Sequence, residues 1–319
     1  MEYRTLGNTG IVVSEVGFGA WAIGGDAWGE VEDRDSLAAI HRAIELGVTF
    51  IDTADVYGNG RSEEVVATAI RGRRHDVVLS TKGGLMGHHR DPGRAPVYDR
   101  PEKVTEAFEA SLRRLDTDYV DVYWSHIWWD KHEETEAFLV AFDRLKRDGK
   151  ARAVGVSTDS IDHLRHFDRD GGIDAVQLDY SILNREREAD SLSYAARRGL
   201  GVVVRGPLSK GLLTGKFSAA TAFPPGDIRD SWPSEPSYRA NLDKVDDLRP
   251  LANDGQTLGQ LAIRFVLSHP AVSVAIPGAK TPAQAEENAL ASRRPLLSEE
   301  ELRRVDEVSP PGRQRIESR

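Results

Sequence analysis

Eight short apolar runs recur along the chain, and most are followed by a stretch whose apolar residues fall three and four positions apart. The runs are VGFGA (16–20), TFIDTA (49–54), VVLSTK (77–82), YVDVYWSH (119–126), ARAVGVS (151–157), DAVQLDY (174–180), GVVVRG (201–206) and VSVAIPG (272–278). Several are rich in Val and Ile and apolar on both faces, as parallel strands covered by helices must be. Eight strands alternating with about eight helices predict an α/β fold, a closed (β/α)8 TIM barrel. The competing open, doubly wound sheet loses ground because no GxGxxG turn follows the first long strand. At 319 residues the chain suits one barrel, which runs to about 250 residues before insertions. Residues 1–319 are therefore read as one domain, without a second domain or low-complexity linker.

The helical signal is clearest over 101–115, PEKVTEAFEASLRRL, where Val104, Ala107, Phe108, Ser111, Leu112 and Leu115 form one stripe behind Pro101 at the helix start. Segment 35–46 reads the same way and ends before Gly47, a C-cap candidate; 61–71, 133–148 and 258–268 follow suit. Segment 4–14 carries Gly7, Asn8 and Gly10 between extended pieces and predicts a hairpin before the barrel. Ser298 and Glu301 have capping-box spacing and predict an extra C-terminal helix over 298–309. Two long segments, 83–99 and 216–245, read as loops on the face where barrel active sites are built.

That face collects titratable side chains. Asp52, Lys82 and His126 end the second, third and fourth expected strands, and Tyr57 follows five residues after Asp52. Four such groups from neighbouring strand ends are what proton transfer to a carbonyl oxygen needs. A tyrosine near pKa 10 is a weak acid at neutral pH, and the Lys82 ammonium beside it is expected to lower that value. Asp52 is placed to supply the counter-charge of a buried Lys82, and His126 to orient the substrate oxygen. Singly, a strand-end His is more often structural, Asp52 and Lys82 could be a structural ion pair and Tyr57 a loop anchor; their convergence favours catalysis.

At this point a resemblance to the aldo-keto reductase family, of the bacterial NADP-dependent type, is carried by motifs along nearly the whole chain. They are GFGAW (17–21), FIDTADVYG (50–58), STK (80–82), YVDVYWSH (119–126), GVS (155–157), Gln177, GPL (206–208) with GLLTGK (211–216), and IPG (276–278) with Glu287 and Asn288. The resemblance implies the barrel, the Asp52, Tyr57, Lys82 and His126 tetrad, and a bound dinucleotide, NADPH preferred and NAD possible. Residue by residue it implies that Gly19, Ala20 and Trp21 approach the nicotinamide and that Asp52 touches its ribose. Ser157, Thr158 and Gln177 are placed at the carboxamide, and Arg205 under the ring. Gly206, Pro207, Leu208, Ser209, Gly211, Leu213 and Lys216 are placed along the pyrophosphate path. Ile276, Pro277, Gly278, Lys280, Gln284, Glu287 and Asn288 are placed at the adenosine end, where Lys280 and a helix start suit a 2′-phosphate. Three positions depart from many relatives: Thr158 for Asn, Arg205 for an aromatic residue, and Gln284 for a basic one.

The tryptophans concentrate near the expected mouth: Trp21 and Trp28, then Trp124, Trp128 and Trp129 around His126, and Trp232 in the long loop. With Tyr57 and His126, the substrate is expected to meet Trp21, Trp28 and Trp128, which favours apolar or aromatic aldehydes and ketones. His88, His89 and Arg90 read as a solvated loop before an anion site, and no zinc-ligand spacing joins His88, His89 and His132. A formal net charge of -9 argues against nucleic-acid partners, and no run approaches the roughly 20 apolar residues of a membrane span. The chain has no cysteine, which excludes disulfides and thiolate chemistry. The expectation is a cytoplasmic monomer or homo-oligomer that reduces carbonyl compounds. The alternatives are an NADPH-binding sensor or auxiliary subunit with little turnover, and a barrel isomerase or lyase that uses no nicotinamide.

Overall fold

The structure is a computed structural model describing residues 1–25, 27–29, 31–87, 97–126, 132–252 and 255–312, with the backbone alone at 132. The chain opens with strands β1 (Tyr3–Thr5) and β2 (Val12–Ser14), paired antiparallel with Tyr3 opposite Ser14, the hairpin expected from the glycines between them. The repeat then begins: β3 (Phe18–Gly19), α1 (Asp33–Glu45), β4 (Phe50–Asp52), α2 (Arg61–Ala69), β5 (Val78–Gly83), α3 (Pro101–Leu115), β6 (Val120–Ser125), α4 (His132–Arg147) and β7 (Ala151–Ser157). It continues through α5 (Ile161–Phe167), β8 (Ala175–Asp179), α6 (Ser191–Arg198), β9 (Gly201–Arg205), α7 (Pro236–Leu248), α8 (Leu258–Ser268), β10 (Val274–Ala275), α9 (Pro282–Leu290) and α10 (Glu299–Val308).

Strands β3 to β10 form one parallel sheet in chain order. The sheet closes on itself through the Val16–Ala275 and Gly19–Gly278 bridges, where the Gly17 N–H donates to Ala275 O at 2.8 Å and the Ala275 N–H to Glu15 O at 2.9 Å. This is the (β/α)8 barrel that the eightfold repeat requires.

Two apolar layers hold it. The larger lies between strands and helices: the α3 stripe of Val104, Phe108, Leu112 and Leu115 meets Tyr123 and Phe142 there. The smaller fills the barrel. Leu6, Ile11 and Val13 of the hairpin pack with Phe50, Val78, Val122, Ala153, Ala175, Val203 and Val274. These strand residues sit near the strand starts, so the hairpin floors the N-terminal end and leaves the opposite end as the mouth. Trp124, grouped with the mouth tryptophans on sequence, belongs to this interior layer and is fully buried. The alternation of β6 turns it inward, and Gly155 leaves the space, since a Cβ there would lie 2.5 Å from the indole.

The 216–245 segment is not loop throughout, because α7 begins inside it. Pro236 occupies the first turn of α7, where its missing N–H costs nothing. Capping boxes start α8 (Thr257 with Gln260) and α10 (Ser298 with Glu301), the second as the spacing predicts. No helix among the described residues is long and apolar enough to cross a membrane.

Candidate active site

The mouth gathers the four sequence-predicted residues into one contact network. Parallel register sets Asp52 of β4 beside Ser80 of β5, and Lys82 lies two residues on, pointing the same way. Asp52 Oδ2 accepts from Lys82 Nζ at 2.5 Å, while Oδ1 accepts from Ser80 Oγ at 2.8 Å and Gln177 Nε2 at 3.0 Å. Lys82 donates its other protons to Thr53 O at 2.8 Å and Tyr57 Oη at 3.2 Å. An ammonium has three protons, and all three are committed. Trp124 Nε1 donates to Ser80 Oγ at 2.5 Å, which locks the serine toward Asp52.

Tyr57 reaches this cluster from a left-handed turn. Gly58 has φ +58°, and a Cβ there would lie 2.2 Å from Gly24 O, so glycine is required to seat the turn against the segment after β3. The phenol stacks on Trp21 at 5.9 Å between centroids, with Lys82 Nζ 4.8 Å from its ring centre. The expected lowering of its pKa does not occur. Burial outweighs the pull of Lys82, so the hydroxyl stays above its ordinary value and protonated at neutral pH. Burial likewise pulls Lys82 down, yet Asp52 and Tyr57 more than offset it and hold the ammonium charged. His126 goes the other way. Burial, then the charges of Lys82 and Arg205, hold the imidazole well below its usual pKa and hence neutral. Its ring stands edge-on to Tyr57 at 6.2 Å, and its Nδ1 has no partner among the described residues.

The residues expected at the carboxamide lie beside this network. Ser157 Oγ donates to Gln177 Oε1 at 3.3 Å, which ties both to Asp52. Thr158 turns its hydroxyl to His163 Nδ1 and the Ser160 N–H, both at 3.1 Å, and so serves the start of α5. Arg205 is held in ion pairs by Asp179, at 3.1 Å, and Asp159, two residues the sequence reading did not single out. Gly19 anchors the first turn through its N–H to Pro277 O at 3.1 Å, next to Ala20 and Trp21. Beyond Gly206, Pro207 and Leu208, the residues Ser209, Lys210 and Gly211 all have positive φ, a turn that Ser209 fixes by bonding Ser181 Oγ at 2.8 Å. Leu213 and Ile276 are buried in the apolar layers.

At the far end Thr281 caps α9, Gln284 Oε1 accepts the Lys280 N–H at 2.8 Å, and Asn288 Nδ2 donates to Gly278 O at 3.2 Å. Lys280 Nζ bonds Trp28 O. Burial lowers the Lys280 and Lys216 ammonium groups, and Arg229 lowers both further, while Glu287 pulls Lys216 upward. Arg229 escaped the sequence reading. It is gripped by Asp227 at 2.7 Å, lies against Trp28 (5.0 Å) and Phe223 (4.9 Å), and follows Ile228, whose N–H donates to Ala27 O at 2.9 Å. Segments 27–29 and 227–229 therefore meet across the mouth. Trp232 packs outside this bridge with Phe223 and Tyr238. Trp128, Trp129, His88, His89 and Arg90 lie outside the described residues, as does the His132 side chain.

The aldo/keto reductase family model matches residues 15–310. Aldo-keto reductase YhdN of Bacillus subtilis is 36% identical over 292 residues, covering 90% of this chain and 87% of that protein. The NADH-specific methylglyoxal reductase of Escherichia coli is 34% identical over 311 residues, covering 91% and 93%. An aldo/keto reductase from Klebsiella pneumoniae, solved with NADP and acetate, superimposes with a TM-score of 0.74 at 30% identity over 98% of this chain and 96% of that one. Fold, chain-long similarity and the clustered strand-end residues agree: the chain belongs to the aldo/keto reductase family of NAD(P)H-dependent oxidoreductases.

Proposed function

We propose that the protein reduces aldehydes or ketones to alcohols with hydride from NADPH, and that Tyr57 is the proton donor. One observation carries this reading: all three Lys82 protons are committed, one of them to the Tyr57 oxygen, which leaves the phenol's own proton for a substrate oxygen. Tyr57 is protonated at neutral pH. As it gives up that proton, the phenolate that forms is stabilised by the adjacent ammonium, which Asp52 keeps charged. Neutral His126 can hydrogen-bond the same carbonyl oxygen without adding a second cation beside Lys82.

The groups at the mouth fit a dinucleotide. Lys216, Arg229 and Lys280 influence one another electrostatically, with Asp227 and Glu287 as nearby carboxylates, which suits a polyanion. Lys280 at the start of α9 favours a 2′-phosphate, and so NADPH over NADH. Ser157 and Gln177 would hold the carboxamide, Ser209 and Gly211 the pyrophosphate, and Gln284, Glu287 and Asn288 the adenosine. When bound, the cofactor supplies the hydride. The Trp21 and Trp28 rings, 5.1 Å apart and edge to face, offer an apolar wall for the substrate. Relatives divide between dinucleotides by name, so the preference rests on these cations.

The test is NADPH consumption by purified protein with an aromatic aldehyde, beside Tyr57→Phe and with NADH in parallel. Wild type should turn over, and the variant should lose about a hundredfold or more while still binding cofactor. A Tyr57→Phe protein that turns over at the wild-type rate sinks the assignment. Tight NADPH binding without turnover would favour a sensor or auxiliary role.

A further inference from the structure

Lys280 joins the two ends of the site. It immediately precedes Thr281, the cap of α9, and its ammonium donates across the mouth to the Trp28 carbonyl, 252 residues earlier in the chain. Trp28 belongs to the aromatic wall: its ring meets Trp21 at 5.1 Å, and Trp21 stacks on Tyr57 at 5.9 Å. The start of α9 offers an anion little else. Pro282 has no N–H. Thr281 Oγ1 accepts the Gln284 N–H at 3.3 Å, Thr281 O accepts the Ala285 N–H at 3.1 Å, and Gln284 Oε1 accepts the Lys280 N–H at 2.8 Å. Of the donors in that turn, the Ala283 N–H and the Lys280 ammonium are left for a phosphate. A phosphate bound there must therefore draw on Lys280, and its charged oxygens are stronger acceptors than the neutral Trp28 carbonyl.

Resting on the reading of Lys280 as the 2′-phosphate residue above, we propose that Lys280 is a positioning residue that couples the adenosine end to the substrate wall. A 2′-phosphate takes the ammonium from the Trp28 carbonyl and loosens Trp28. A dinucleotide without that phosphate leaves the tie in place. The wall that meets the substrate is therefore held more firmly with NADH than with NADPH.

The experiment uses two fragments without nicotinamide, adenosine 2′,5′-bisphosphate and 5′-AMP, each brought to saturation by calorimetry. The reporter is the Trp28 indole N–H, which is buried without a partner among the described residues. Its NMR resonance is identified by its loss in Trp28→Phe. In wild type the bisphosphate should shift that resonance and 5′-AMP should leave it in place. In Lys280→Met the free protein should already show the shifted position, and neither fragment should move it further. A shift of equal size with both fragments, or one that the bisphosphate still produces in Lys280→Met, would overturn the inference. Bisphosphate binding that weakens in Lys280→Met while the wild-type resonance stays put would end the inference and leave the 2′-phosphate reading standing. Equal affinity for the two fragments in wild type, unchanged in Lys280→Met, would overturn both. The kinetic counterpart is KM for an aromatic aldehyde at saturating cofactor. Wild type should show a value at least about threefold higher with NADPH than with NADH, a modest share of what one hydrogen bond to a charged group contributes. Lys280→Met should raise the NADH value to the NADPH value, whereas general damage would raise both and keep the gap. Equal KM with the two cofactors in wild type would count against the coupling. If Lys280→Met does not fold, the two fragments compared in wild type decide.

Discussion

Asp52 and Asp55 stand three residues apart at the end of one strand, both buried, in opposite circumstances. Asp52 has a cation and two neutral donors on its oxygens. Neither oxygen of Asp55 has a hydrogen-bond partner among the described residues. It lies toward Tyr123: a Cβ on Gly83 would be 3.6 Å from Asp55 Oδ2 and 2.2 Å from the Tyr123 hydroxyl, which also lacks a partner among those residues. Burial first, and then the neighbouring Glu63 carboxylate, push the Asp55 carboxyl up to about 7, while Arg114 and the Val56 N–H pull against them without closing a hydrogen bond of normal geometry. Glu63 is itself satisfied by Thr81 at 2.6 Å and Arg114 at 2.6 Å. The difference shows what burial requires of a carboxylate. With a cation and donors it can stay ionised and hold others in place; without them it is driven toward taking a proton.

The sharpest way to break the contrast is to give Asp52 the poverty of Asp55. Lys82→Met strips the cation and leaves a buried carboxylate with two neutral donors. We expect a loss of about 3–5 kcal/mol in denaturant unfolding, together with loss of turnover. Unchanged stability would mean that Asp52 does not depend on its ion pair.

The reverse experiment is Asp55→Asn. A carboxyl whose folded-state pKa of about 7 exceeds its ordinary 3.8 binds its proton more tightly when folded. Its contribution to stability is complete below about pH 4 and is lost as pH rises to about 7, by at most about 1.4 kcal/mol per pH unit. The substitution removes that slope, so the variant should gain on wild type as pH rises and hold a margin of up to a few kcal/mol at about pH 8. Parallel stability curves for the two proteins across that window would show that Asp55 is ionised throughout. The smallest effect is expected at Tyr123→Phe. Removing an unpartnered hydroxyl should leave stability unchanged or raise it by about 1 kcal/mol. A loss of that size would reveal a partner for the hydroxyl.

The barrel and the convergence of Asp52, Tyr57, Lys82 and His126 were legible because both are written locally. Strands β4, β5 and β6 end at or beside Asp52, Lys82 and His126, and a strand end in this fold is a position at the mouth. Long stripes and capping boxes marked α3, α8 and α10. The seven residues of α5 and eight of α6 are too few to show a stripe. The hold on Arg205 was not legible, because Asp159 and Asp179 lie 46 and 26 residues before it and meet it only through the register of β7, β8 and β9. Arg229 was hidden for a similar reason, since its aromatic neighbour Trp28 comes from the far end of the chain. The direction of the Tyr57 shift depends on how deeply it is buried, which a list of neighbouring charges does not contain.

The hairpin floor carries a consequence of its own. Leu6, Ile11 and Val13 fill the N-terminal end of the barrel with apolar side chains. At the opposite end the Ile228 N–H to Ala27 O bond and the Arg229–Trp28 contact join segments 27–29 and 227–229. That floor offers a substrate apolar side chains, so polar chemistry is confined to the end where Asp52, Tyr57 and Lys82 meet.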